Sequence, residues 1–232
     1  VEMGDLREGI MPQDLEQLGQ QVMDMPGVAL KGIGANFACL SGIAPTAAKM
    51  QALSVLANEV EGQCGPFLQT VSGGNSANLP WAFGTRSTGR INDLRIGEAI
   101  LLGVDPITGD QIGGMYRDAF TLVAEVIESR IKPDRPWGSL AQTAFGESPA
   151  VASRGALSRS ILAIGHQDVD PSGLQPPPGT RILGASGDHL IVQSECEQLV
   201  VGAEVRFGLN YSALVRAMTS PFITKQFVAH RI

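Results

Sequence analysis

Residues 46–61, TAAKMQALSVLANEVE, place Met50, Leu53, Leu56 and Val60 at helical intervals, just after Pro45 and with Thr46 as a capping hydroxyl. The flanks read differently. Met25 to Asn36, MPGVALKGIGAN, is a short buried strand, and Phe67 to Ser72 is another. A strand, an amphipathic helix and a strand in succession need a crossover, so the two strands should lie parallel in one sheet. A further strand is expected at Asn92 to Ile96, which carries the α/β pattern to about Gly113.

Beyond Gly113 the texture changes. Phe120 to Glu128, Ser160 to Ile164, Arg181 to Gly184, His189 to Gln193 and Val205 to Leu209 are short runs suited to strands. Turn-rich segments such as DPSGLQPPPG (170–179) separate them. The expectation is α/β followed by β: residues 1–113 form one domain and residues 114–232 a mainly β domain.

Composition narrows the function classes. Hydrophobic residues make up 44% and charged residues 17% of the 232 positions, a core-forming balance that argues against disorder. The net charge of -6, without a basic cluster, supports neither nucleic acid nor an anionic membrane as a partner. No apolar run reaches the roughly 18 residues of a membrane span, and a cytoplasmic location is expected. Cys39, Cys64 and Cys196 lack metal-type spacing and read as buried reduced thiols. His166, His189 and His230 are too scattered to suggest a metal site.

Each expected parallel strand ends in a polar or glycine-bearing loop: GDLREG (4–9), GAN (34–36), SGGNS (72–76) and RIGE (95–98). Parallel sheets and barrels place their sites at the C-terminal ends of strands, so four such loops point to one shared site. A glycine-rich loop ending in Ser76 can offer N–H groups and a hydroxyl to a phosphate.

The motifs GDLREG (4–9), GIGAN (32–36), SGGNS (72–76), LRIGEAILLG (94–103), ILAIGHQDV (161–169), ILGASGDHLIV (182–192) and NYSALVRAMTSPF (210–222) occur in an order that resembles the alanine racemase family, closest to its ornithine racemase branch. The resemblance implies the C-terminal half of a (β/α)8 barrel, strands five to eight, followed by a β domain, and pyridoxal 5'-phosphate as cofactor. It places Arg7 on the phenolate side of that cofactor and Asn36 against its ring. Ser76 and the backbone at Gly97 and Glu98 would hold the phosphate, and Arg95 would face the pyridine nitrogen. It also implies a homodimer in which the β domain of one protomer covers the barrel mouth of the other.

Two parts depart from the family pattern. The family's cofactor-binding lysine lies on the first barrel strand, and Lys31, Lys49, Lys132 and Lys225 match no such motif. Lys31 and Lys49 read as solvated. The first four strands, with that lysine, are therefore expected in a preceding half-barrel, without which this chain alone would be inactive. The family's second acid/base group is a tyrosine in a Tyr-Gly step, and here the match is Ala144-Phe145-Gly146. Thr143, His166, Asp168 and Asp188 lie in motifs resembling the family's pocket-lining segments. Of these His166 has the most suitable ordinary pKa, and Asp188 either binds a substrate amino group or caps a turn. Tyr211 reads equally as core. The activity implied is racemisation of a free amino acid by proton exchange at Cα, with ornithine or another basic amino acid first and alanine second. The alternatives are a non-catalytic fragment and a pyridoxal-phosphate carrier or homeostasis protein.

Overall fold

A computed structural model describes residues 1–65, 67–85, 87–133, 136–142, 145, 156–195 and 198–228. The chain divides into two compact units, Val1–Arg117 and Asp118–Ile232.

In the first unit, α1 (Leu15–Asp24) precedes the three-residue strand β1 (Gly32–Gly34). The expected strand from Met25 is shortened because Pro26 and the left-handed Gly27 (φ 78°) make a turn there. Helix α2 (Ala47–Cys64) forms as its periodicity requires. The Thr46 side chain accepts the Lys49 N–H at 3.2 Å, and the left-handed Gly65 ends the helix by donating to Glu61 O at 3.1 Å. Met50, Leu53, Ala57 and Val60 are its buried face, each worth about 1.5–3 kcal/mol for the larger side chains. That face packs with Leu15, Phe37, Leu68 and Val71 into one cluster.

Strand β2 (Thr70–Asn75) lies parallel to β1 and to β3 (Asp93–Arg95), giving the order β1-β2-β3. Between β2 and β3 sits the short α3 (Leu79–Gly84), and α4 (Glu98–Leu102) follows β3. Sequence reading has four strand ends, whereas this sheet has three strands. GDLREG is a loop, bent by positive φ at Gly4, Leu6 and Gly9.

The second unit is an antiparallel sheet. Its strands are β4 (Leu122–Pro133), β5 (Ala156–Leu162), β6 (Leu174–Gln175), β7 (Thr180–Ala185), β8 (Leu190–Ser194) and β9 (Glu204–Leu209). They lie in the order β6-β9-β4-β5-β8-β7. Strand β4 alternates as a half-buried strand must: Leu122, Ala124 and Val126 point inward while Val123, Glu125 and Ile127 face out. Phe207, Leu162, Leu190 and Val192 complete the core with Ala213 and Ala217 of helix α5 (Tyr211–Thr219). Tyr211 is 44% exposed and is not a core residue, because it lies off the face of α5 that buries Ala213, Leu214 and Ala217.

Candidate functional site

One side chain crosses the C-terminal ends of the parallel strands. Arg95, the last residue of β3, donates from Nη1 to Ser72 Oγ at 2.5 Å and from Nη2 to Ala35 O at 2.7 Å. One guanidinium thus spans all three strand ends. Gly34 makes room for it: a Cβ there would stand 3.5 Å from Arg95 Nη1 and 3.0 Å from Ser72 Cβ.

Ser76 follows β2 directly and is buried. Its Oγ accepts the N–H of Gly97 at 3.1 Å and that of Ala99 at 3.2 Å. A hydroxyl oxygen has two acceptor positions, and both are occupied. Its O–H has no acceptor among the described residues, so the buried hydrogen is left to donate. Gly97 is exposed, and a Cβ placed there would meet nothing within 4 Å. A free buried donor beside open backbone suits an anion such as a phosphate group. Glu98 opens α4, and burial, aided by Asp105, raises its carboxyl above the usual range.

Asn36 follows β1. Its Nδ2 reaches Asp5 Oδ2 at 3.4 Å and its Oδ1 accepts from Asn75 Nδ2 at 3.3 Å. Arg7 is exposed and paired with the adjacent Glu8 through two hydrogen bonds, which raises its pKa. The first unit therefore brings Asn36, Ser76, Arg95, Gly97 and Glu98 to the strand ends, with Arg7 in the loop that Asp5 anchors beside Asn36.

The second unit gathers the other candidates at two neighbouring turns. The His166 N–H donates to Ser186 O at 3.0 Å and the Gln167 N–H to Gly187 O at 2.8 Å. The turns meet so closely that a Cβ on Gly165 would lie 2.5 Å from Asp188 N. Asp188 is largely exposed; its Oδ1 accepts from Ser186 Oγ at 3.3 Å and lies 3.2 Å from His189 Nδ1. Asp168 is buried, accepting from Ser220 Oγ at 2.9 Å and from the Gly165 N–H at 3.3 Å, and so ties the His166 turn to the end of α5. The Phe145 ring lies 4.0 Å, centroid to centroid, from the His166 ring. Thr143, Ala144 and Gly146 lie outside the described residues.

Several sequence expectations are corrected. Cys39 is exposed and Cys64 half-buried, because Cys39 sits in the loop after β1 and not on a core face; Cys196 lies outside the described residues. Lys49 is not simply solvated: its Nζ donates to Met3 O at 2.6 Å. Lys132 pairs with Glu128 at 2.5 Å, and Lys225 donates to Ser220 O. Sequence reading missed Asp5 and Asn75. The signal for Asp5 was an acid inside a glycine-bounded turn (GDLREG); for Asn75 there was only its place beside Ser76. Among the described residues no group of three or more His, Cys, Asp or Glu could hold a metal ion, and no helix is long and apolar enough to cross a membrane.

Comparison with known proteins gives these sites a context. Residues 1–106 match the family described as alanine racemase, N-terminal domain. A lysine racemase from Thermotoga maritima is 37% identical over 98% of this chain, and an ornithine racemase from Acetoanaerobium sticklandii is 36% identical over 98%. The chain spans 64% and 66% of those two proteins. The crystal structure of alanine racemase from Bartonella henselae with covalently bound pyridoxal phosphate shares the fold, with a TM-score of 0.56 at 19% identity over 96% of this chain and 60% of that one.

Proposed function

We propose that this chain, matched over residues 1–106 by the alanine racemase family's N-terminal domain and 36–37% identical to two racemases, is part of a longer pyridoxal-phosphate enzyme that racemises a free basic amino acid. Ornithine or lysine is the first substrate class and alanine the second. The observation that carries the reading is the strand-end cluster: Arg95 fixed across Ser72 Oγ and Ala35 O, beside a buried Ser76 hydroxyl whose hydrogen has no acceptor among the described residues. The relation to a lysine racemase and an ornithine racemase over 98% of the chain supports the substrate class.

Pyridoxal phosphate, when bound, withdraws electrons from the substrate's Cα and makes its proton removable. Ser76, its oxygen locked by the Gly97 and Ala99 N–H groups, would donate its O–H to the phosphate. Gly97 leaves room for the phosphate to approach the backbone at Gly97 and Glu98. Arg95 would face the ring nitrogen. A guanidinium there would oppose protonation of that nitrogen, which would moderate electron withdrawal and favour simple proton exchange at Cα. Asn36 would face the ring and Arg7 its phenolate side.

Racemisation needs an acid/base group on each face of Cα. One is a lysine carried by the rest of the longer protein. The other is His166, delivered from the partner protomer of a homodimer: its ring stands against Phe145, the residue at the family's tyrosine position. Asp188, in the adjacent turn, binds the substrate's amino group. Phe145 itself favours a second reading, a pyridoxal-phosphate-binding protein without racemase activity.

The test uses the full-length protein with pyridoxal phosphate and L-ornithine, L-lysine and L-alanine, with products resolved by chiral chromatography. D-ornithine or D-lysine should form. Bound cofactor with no D-product from any substrate would replace this reading with the second, and a protein that binds no cofactor refutes both.

A further inference from the structure

The Asp5 carboxylate is 2% exposed and is held by backbone from one short stretch of the loop after β1. Oδ1 accepts the N–H groups of Cys39, Leu40 and Ser41 at 3.1, 3.2 and 3.1 Å, while Oδ2 accepts the Asn36 amide at 3.4 Å. Ser41 Oγ returns a bond to Asp5 O at 2.7 Å. Three convergent N–H donors on one carboxylate make a rigid, charge-assisted clamp. On either side of it stand two residues in the left-handed region, Leu6 and Ala38, both at φ 53°. A Cβ disfavours that conformation, so it persists only where surrounding bonds enforce it. Leu6 is the link between Asp5 and Arg7, and Ala38 stands between Phe37 and Cys39.

The network continues. Asn36 Oδ1 accepts from Asn75 Nδ2, which also donates to Phe37 O at 2.7 Å, while Asn75 Oδ1 accepts the Ala77 N–H at 3.1 Å. Ser76, between Asn75 and Ala77, then accepts from Gly97 and Ala99. A hydrogen-bonded path runs from the Arg7 loop through Asn36 to Asn75, and Ser76 is the next residue of the chain.

We propose that Asp5, with Asn75 as the next link, is the positioning residue of the strand-end site: it fixes the Arg7 turn, Asn36 and Ser76 as one unit. The proposal rests on the reading above only for the identity of the ligand. Asp5→Asn keeps the shape but turns an NH2 group toward N–H donors. Amide exchange of the 39–41 segment, followed by deuterium uptake in the cofactor-free full-length protein, should become roughly ten-fold faster or more. Pyridoxal phosphate affinity, read by fluorescence titration, should weaken about ten-fold or more, the loss expected for charged hydrogen bonds. Glu61→Gln is the control, because it breaks the Arg90–Glu61 pair elsewhere in the unit. It lowers stability and should leave both readouts near wild type, which separates positioning from general destabilisation. If Asp5→Asn does not fold, Asn75→Ala carries the test with the same ten-fold loss of affinity. Unchanged exchange at 39–41, or affinity within two-fold of the Glu61→Gln control, overturns the proposal. A wild-type protein that binds no pyridoxal phosphate refutes the functional reading instead, and the exchange data then still decide whether Asp5 clamps the loop.

Discussion

Replacing Ser76 with alanine separates structure from ligand binding at one atom. The Oγ accepts two backbone N–H groups, those of Gly97 and Ala99. Gly97 is exposed, and water can take over its N–H. Ala99 is fully buried, so its N–H is left unsatisfied at a cost of about 1–3 kcal/mol. Ser76→Ala should therefore destabilise the first unit by about 2 kcal/mol in urea titration of the cofactor-free protein. The lost O–H is a separate matter. One donor to an anionic phosphate contributes about 1.5–3 kcal/mol, so pyridoxal phosphate should bind roughly 10- to 150-fold more weakly at 1.4 kcal/mol per decade. Pyridoxal, which has no phosphate, is the internal comparison, and its affinity should change by less than about three-fold. Equal weakening of both ligands, or a phosphate-form affinity unaltered by the mutation, would refute the assignment of Ser76 to the phosphate.

A Cβ on Gly32 would sit 2.2 Å from Thr70 O, so Gly32→Ala must break the β1–β2 register and should cost more than about 2 kcal/mol in denaturant midpoint analysis. His166→Gln should lower kcat for ornithine by about 10²- to 10⁴-fold with little change in KM, the span typical of a lost acid/base group; a kcat within two-fold of wild type removes His166 from the mechanism. For Asp5, burial pushes the carboxyl up, but the N–H groups of Leu40, Ser41 and Cys39 and the Asn36 amide outweigh it and hold the pKa below the ordinary 3.8. Its stabilisation is then present above pH 3.8 and lost as pH falls through the lower folded value. Asp5→Asn should flatten the acid limb of the pH–stability curve below about pH 4, and an unaltered limb would show that other carboxylates set it.

Helix α2 was legible because its apolar spacing and its Thr46 cap agree, and the parallel sheet followed from the strands on either side of it. The β domain was legible from alternation, as along β4. Helices α1 and α5 were not. Only Leu15 and Gly19 of α1 are buried, and α5 buries mostly small residues, Ala213 and Ala217 beside Leu214, so neither stretch buries the run of large apolar side chains that α2 does. Ser76, Arg95 and Gly97 could be singled out from loop motifs. Asp5 could not, since its partners stand 31 to 36 residues away and only folding brings them to one carboxylate. Nor could the exposure of Cys39, which the Asp5-anchored loop decides.

Proton exchange at the Cα of a basic amino acid is what separates a racemase from a protein that only binds the cofactor. The most direct measurement is proton NMR of L-ornithine incubated in D2O with the full-length protein and pyridoxal phosphate. The α-proton signal should disappear at a rate proportional to enzyme, with deuterated D-ornithine accumulating in step. Retention of the α-proton by ornithine, lysine and alanine alike, in a protein that has bound its cofactor, would contradict the account.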